Sequence, residues 1–167
     1  TFDAPGGTYD HYGYQILADA NAINVNADEA DVTAMKANGY GIWLKGSATK
    51  GAVTKTFEWG FAAKLTYAHC EAGMTIDGNN VVMQTTVHAD HMFYDDAVSD
   101  EPNVAFEIFA AADANADNAI TLDELAVKDI RAESRYQVGS TRDVQGNEIT
   151  NLRQYLEQAR VLARNLR

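Results

Sequence analysis

The chain has 167 residues, with 24 acidic against 13 basic side chains and a formal net charge of -11. This length suits one ordinary domain, or one domain with a small appendage. The charge disfavours binding to nucleic acid or anionic membranes, because both require a positively charged protein surface. No apolar stretch approaches the roughly 20 residues of a membrane-spanning helix, so we expect no membrane span.

Residues 1–97 are predicted to form an antiparallel β-sandwich. The clearest pattern runs through 53–70, where Phe57, Trp59, Phe61, Ala63, Leu65, Tyr67 and His69 share one parity. Strict alternation indicates strands with one buried face, and Gly60 is expected to mark a bend or bulge. Further strands are predicted at 11–17, 39–45 and 81–87, beside turn signals at Asn38-Gly39 and Asp77-Gly78. Several short strands separated by turns are typical of a sandwich or barrel.

Residues 98–167 are predicted to form a helical appendage packed on that domain. Helix formers dominate 103–112, and 131–147 is polar and irregular, which indicates a surface loop. From Thr150 onward the apolar residues fall three or four apart, which predicts an amphipathic helix. Its stripe is Leu152, Tyr155, Leu156, Ala159, Leu162, Ala163 and Leu166. Thr150 is the expected N-cap, because its hydroxyl can accept a free backbone N–H of the first turn.

Residues 113–124 have the spacing of a calcium-binding loop. Ca²⁺ takes six to eight oxygen ligands in a flexible shell, and a twelve-residue loop can supply them from alternate positions. The expected ligands at positions 1, 3, 5, 7, 9 and 12 are Asp113, Asn115, Asp117, the carbonyl of Ala119, Thr121 and Glu124. Ile120 at position 8 fits an apolar anchor. The alternative is an acidic helix–loop–helix that binds no ion.

Position 6 of this loop departs from the usual pattern. A glycine is expected there because the chain turns through positive φ, and this sequence has Asn118 instead. Asparagine is the next best residue for that conformation, so we expect the loop to form but to bind the ion with lower affinity. With an apolar entering helix before it and Leu125 after it, the segment 105–125 is similar to the EF-hand family.

Three of the four histidines suggest a second metal site. His88 and His91 follow a predicted strand and could point to one place, and His69 ends a neighbouring strand beside Cys70. Imidazole ligands suit Zn²⁺ or copper, and Asp90 could join them as a ligand or orient a ring. The alternative is ordinary histidines hydrogen-bonded at strand ends, because a His-x-x-His pair alone is a weak signal.

A wider resemblance covers the second half of the chain. The run from His88 to Asp96, the calcium loop and the helix from Asn151 resemble a group of uncharacterised secreted bacterial proteins with a β-domain and a single EF-hand. There is a fainter similarity to periplasmic copper-binding β-proteins of the MbnP type. The resemblance implies export to the periplasm or cell surface and metal binding, with no known reaction. Because the sequence begins at Thr1, we expect a processed or trimmed chain whose targeting information has been removed.

Two functions are compatible with these observations. The first is a secreted metal-binding protein with structural Ca²⁺ and a histidine site for Zn²⁺ or copper. The second is an adhesion or protein-interaction module that Ca²⁺ alone stabilises, with a protein partner the sequence does not identify. A metal-dependent enzyme is a weaker third, because it would need an open coordination position beside a pocket. Other catalytic motifs are missing from the sequence, which has no phosphate-binding glycine loop, Gly-x-Ser-x-Gly elbow or Cys-x-x-Cys pair.

Overall fold

In the computed structural model, the described residues are 5–78, 89–95, 103–136, 142–143 and 145–162, except for the side chains of 69–73, 89, 91, 135 and 158–162. Within them the chain is mainly strands in two small sheets, with a few short helices, and the predicted mainly-β class is confirmed. The chain forms two compact units, Thr1–Ile42 with Phe61–Val87 and Trp43–Gly60 with His88–Arg167. The predicted domain boundary at residue 97 and the predicted strand at 81–87 lie outside the described residues.

The first unit is built on a long antiparallel ribbon. Strand β1, Gly7–Leu17, pairs with strand β4, Lys64–Ile76, and two irregularities interrupt its register. The tyrosines of β1, Tyr9, Tyr12 and Tyr14, are half-buried, and Tyr14 stacks on Tyr67 with ring centroids 4.5 Å apart. The strand predicted at 11–17 forms the C-terminal part of β1, which begins four residues earlier, at Gly7.

The same unit contains a helix that the sequence analysis assigned to β-structure. Helix α1, Glu29–Asn38, begins after Asp28, whose side chain accepts from the backbone N–H groups of Ala30 and Asp31. It ends at Gly39, which takes the left-handed conformation with φ 66°. None of its residues is fully buried. Its signal is therefore the two caps rather than an apolar stripe. The strand predicted at 39–45 begins instead at Ile42, because Gly39 ends the helix.

The alternating pattern at 53–70 correctly predicted the buried face but not the chain path. Within it the buried residues are Trp59, Phe61, Ala63 and Leu65. Strand β2, Ile42–Lys50, is followed by β3, Val53–Phe61, and β4 begins at Lys64. The break therefore falls at residues 62–63 and not at Gly60. The finer prediction of a sandwich stays a prediction.

The second unit holds most of the buried side chains. Its sheet has the order β2, β3, β5, where β5 is the short strand Ala119–Ile120. Helices α2, Phe106–Ala110, α3, Leu122–Val127, and α4, Leu152–Leu162, follow the 3₁₀ turn Ala89–Phe93. Its buried apolar residues are Trp59, Met92, Ala105, Ile108, Phe109, Ala112, Ile120, Leu125, Ile130, Tyr136, Ile149, Leu152, Tyr155 and Leu156. Among the described residues, no helix is long and apolar enough to cross a membrane.

Helix α4 packs on α3, and the first three residues of its predicted apolar stripe are described. The side chains of Ala159 and Leu162, and the whole of Ala163 and Leu166, lie outside the described part of the chain. Leu152, Tyr155 and Leu156 are fully buried, as the three- and four-residue spacing indicated. The predicted cap is wrong by one residue: Asn151 accepts from the Gln154 N–H at 3.0 Å, whereas Thr150 contacts the Gln154 side-chain oxygen. Asn151 is therefore the N-cap, since its side chain reaches the first-turn N–H that the Thr150 hydroxyl was expected to satisfy.

Candidate calcium site

The predicted calcium loop lies between two short helices of the second unit. Helix α2 covers only five residues, so the predicted helix at 103–112 is shorter than expected. The apolar residues of the predicted entering helix, Ala105, Ile108, Phe109 and Ala112, are all buried. Helix α3 begins at Leu122, within the last positions of the loop, and Leu125 is fully buried. Buried apolar residues therefore anchor the chain on both sides of the loop.

Two loop residues take the left-handed conformation. Asn118, at the position where glycine was expected, has φ 68°, and Ala116 has φ 61°. Asparagine adopts this region more readily than most residues, whereas alanine enters it at a steric cost. The left-handed Ala116 therefore adds a steric cost to the tight coil of the loop.

The side-chain oxygens at positions 1, 3 and 5 are turned toward the loop backbone. Asp113 accepts from the N–H groups of Asp117 at 3.2 Å and Asn118 at 3.0 Å. Asn115 also accepts from Asp117, at 3.0 Å, and Asp117 accepts from the Ala119 N–H at 2.8 Å. These bonds hold an amide oxygen and two carboxylates on the inner side of one coil.

Glu124 joins the end of the loop to its beginning. One carboxylate oxygen accepts from the Ala114 N–H at 3.2 Å, and the other accepts from the N–H and hydroxyl of Thr121 at 2.9 and 2.8 Å. The Thr121 hydroxyl in turn accepts from the Glu124 N–H, which completes a capping box at the start of α3. The hydrogen bonds from Thr121 lower the pKa of Glu124, so this side chain is anionic at neutral pH.

The carbonyl of Ala119 faces the same inner side. The carbonyls before and after it, of Asn118 and Ile120, accept from Thr56 and Trp59 on strand β3. The Ala119 N–H points instead to Asp117 in the loop. Because the N–H and C=O of one strand residue lie on the same side, the Ala119 carbonyl points into the loop, where position 7 requires it.

A lysine from the sheet also reaches the loop. The Lys55 ammonium lies 2.5 Å from Asp113 Oδ2 and 3.0 Å from Asn118 Oδ1, and its hydrogen bond lowers the pKa of Asp113. In the part of the chain that the structure describes, no three His, Cys, Asp or Glu side chains converge at metal-ligand spacing. The loop carboxylates are instead engaged by Lys55 and by backbone N–H groups. The donor set is all oxygen and fits a hard cation such as Ca²⁺, provided these contacts rearrange.

The loop is bonded to the sheet by contacts that its own sequence did not indicate. Strand β5 pairs in parallel with β3, with Ala119 beside Thr56 and Ile120 beside Phe57. The Asn118 carbonyl accepts from the Thr56 N–H at 2.8 Å, and the Ile120 carbonyl accepts from Trp59 Nε1 at 2.7 Å. Ile120 at position 8, the expected apolar anchor, therefore belongs to β5, a strand of the β2–β3–β5 sheet.

The predicted transition-metal site remains a prediction. His88 lies outside the described residues, as do the side chains of His69 and His91. Asp90, the candidate that could orient a histidine ring, accepts a hydrogen bond from the Tyr94 hydroxyl at 2.6 Å. Asp90 is therefore held by Tyr94 at the 3₁₀ turn beside His91.

Asp129 and Arg131, just after α3, form a surface ion pair whose contribution to stability depends on pH. The guanidinium lies 2.6 Å from the carboxylate, and its hydrogen bonds lower the pKa of Asp129 from 3.8 to about 2. Because this folded-state pKa lies below the unfolded value, the pair stabilises the fold above about pH 4. That contribution is lost as the pH falls through about 2.

We expect the coupling between these two side chains to disappear in acid. A double-mutant cycle of Asp129→Asn and Arg131→Gln, measured by urea denaturation, should give a favourable coupling free energy near pH 6 and none below about pH 2. The coupling should be small, because the two side chains are 52% and 59% exposed. A coupling that stays constant across this range would contradict the assigned pKa.

This chain matches no protein-family model, no curated protein and no solved structure.

Proposed function

We propose that the chain is a secreted calcium-binding protein whose loop 113–124 holds Ca²⁺ as a structural ion. The observation that carries this proposal is the coil of the loop, in which Asn118 adopts positive φ at the position where calcium loops need it. Around that coil the side-chain oxygens of Asp113, Asn115 and Asp117 and the Ala119 carbonyl share one side. Glu124 and Thr121 complete the set of oxygen donors that Ca²⁺ prefers.

The attachment of the loop to strand β3 favours a structural role for the ion. A bound Ca²⁺ would hold the loop residues before and after β5 together, and β5 is bonded to Thr56 and Trp59. The same ion would join α2 to α3, whose buried residues belong to the core of the second unit. The expected effect of binding is therefore higher stability rather than a large change of shape.

Metal removal tests this proposal directly. At a free Ca²⁺ concentration of about 100 times the dissociation constant, binding adds about 2.7 kcal/mol to the free energy of unfolding. For a chain of this size we expect the melting temperature to rise by roughly 5–10 °C over that in a chelator. Equal concentrations of Mg²⁺ serve as the control and should have a smaller effect, because Mg²⁺ demands near-ideal octahedral geometry. No heat on Ca²⁺ titration and no change in melting temperature would refute the proposal.

Elemental analysis of the protein purified without chelator separates the two functions that the sequence left open. Calcium with a stoichiometric amount of zinc or copper would support a metal-handling protein that uses His88, His91 and His69. Calcium alone would support an interaction module that the ion stabilises.

A further inference from the structure

Lys55 is the one sheet residue whose charged group lies on a proposed ligand within the described part of the chain. Its ammonium is 2.5 Å from Asp113 Oδ2 and 3.0 Å from Asn118 Oδ1. The Lys55 side chain is 13% exposed and that of Asp113 is 0% exposed. The pair is therefore partly buried, where a charge-assisted hydrogen bond is stronger than at the surface.

Strand β3 holds this lysine against the loop. Lys55 directly precedes Thr56, whose backbone N–H and hydroxyl both donate to the Asn118 carbonyl, at 2.8 and 3.1 Å. The ammonium is thus presented to the loop by a paired strand rather than by a freely moving segment. The pairing keeps Lys55 near Asp113 whether or not the two side chains are in contact.

Asp113 cannot bind the Lys55 ammonium and Ca²⁺ at the same time without a large electrostatic cost. Its Oδ1 accepts from the Asp117 N–H, and its Oδ2 accepts from both the Asn118 N–H and the Lys55 ammonium. A Ca²⁺ ion on the same carboxylate would lie within a few ångströms of the ammonium, where two like charges in a partly buried site repel each other. Asp113 also occupies position 1, from which the proposed shell begins.

We propose that Lys55 is a built-in competitor for the calcium site, whose ammonium neutralises Asp113 and must leave it when Ca²⁺ binds. This inference rests on the proposed function and adds a regulation of the same site. Lys55 stabilises the loop in the absence of Ca²⁺ and weakens the affinity of the loop for Ca²⁺. The two effects have opposite signs, which distinguishes a competitor from a residue that only supports the fold.

Calorimetric titration of Lys55→Met with Ca²⁺ tests the competition. Methionine keeps an unbranched apolar stem and removes the charged ammonium. We expect the association constant for Ca²⁺ to rise about tenfold, which corresponds to the lower range for one hydrogen bond to a charged group. In a chelator the melting temperature of this variant should fall below that of the wild type. Lys50→Met is the matched control, because Lys50 contacts Glu107 and both side chains are largely exposed.

A second measurement uses the wild-type protein, so it tests the competition even if Lys55→Met does not fold. Acylation of Lys55 in the wild-type protein, followed by peptide mass spectrometry, should be slow in a chelator and faster with Ca²⁺, while Lys50 reacts equally in both. Unchanged acylation of Lys55 in a protein that binds Ca²⁺, or an equal or weaker affinity in folded Lys55→Met, would overturn this inference alone. Absence of Ca²⁺ binding in both wild type and Lys50→Met would overturn the proposed function itself.

Discussion

Replacing Glu124 with Gln is expected to lower the affinity for Ca²⁺ by about 100-fold, or about 2.7 kcal/mol. Glu124 is the last proposed ligand, and calcium affinity depends on the number of charged oxygens in the shell. Gln keeps one oxygen that can accept from the Thr121 N–H and hydroxyl, as Glu124 does. The start of α3 should therefore persist, and the loss should appear in calorimetric titration rather than in the helix content.

Asp123→Asn is the matched control for this change. Asp123 is the neighbouring loop residue, its side chain is 99% exposed, and its substitution removes the same charge. We expect its calcium affinity to stay within about threefold of the wild type, because exposed charges interact weakly through water. If the two variants lost affinity equally, the effect would be one of net charge, and the role proposed for Glu124 would be wrong.

Replacing Trp59 with Ala is expected to cost about 3–5 kcal/mol of the free energy of unfolding. Trp59 is fully buried, and its ring lies 4.7 Å from Phe57, 5.8 Å from Phe93 and 6.0 Å from Phe109, measured between centroids. Removal of the indole leaves a cavity among aromatic rings that can collapse only partly. The loss is measured by chemical denaturation followed by far-ultraviolet circular dichroism.

Two further variants separate the sources of this loss. Trp59→Phe keeps most of the apolar volume but removes the Nε1–H that donates to the Ile120 carbonyl, and should cost about 1–3 kcal/mol. Val53→Ala, on the same strand at a side chain that is 46% exposed, should cost less than about 1 kcal/mol. A Trp59→Ala cost no larger than that of Val53→Ala would show that the aromatic cluster does not support the fold.

The strand pattern illustrates how far local sequence can predict structure here. Alternation correctly identified Trp59, Phe61 and Leu65 as buried, because a pleated strand places every second side chain on one face. It did not locate the break at residues 62–63, since the alternation continues across it. Helix α1 was missed because it has no fully buried residue, and only its caps, Asp28 and Gly39, distinguish it from a loop.

The calcium loop could be proposed from sequence because all its expected ligands lie within twelve consecutive residues. Their spacing, together with Asn118 at position 6, depends on local backbone geometry, and that residue does adopt positive φ. Calcium binding itself stays a prediction until metal is titrated. The left-handed Ala116 was not anticipated, because alanine carries no sequence signal for that conformation.

The sequence by itself determined the local features: the mainly-β class, the buried parity of β3, the burial of Leu152, Tyr155 and Leu156 at the start of α4, and the order of oxygen donors in the loop. Only the tertiary structure decided what the loop contacts. Lys55 lies 58 residues before Asp113, and Trp59 lies 61 residues before Ile120. Such pairs leave no periodic signal in a single sequence, because their contact depends on how distant segments pack. The parallel pairing of β3 with β5 is what brings both side chains to the loop.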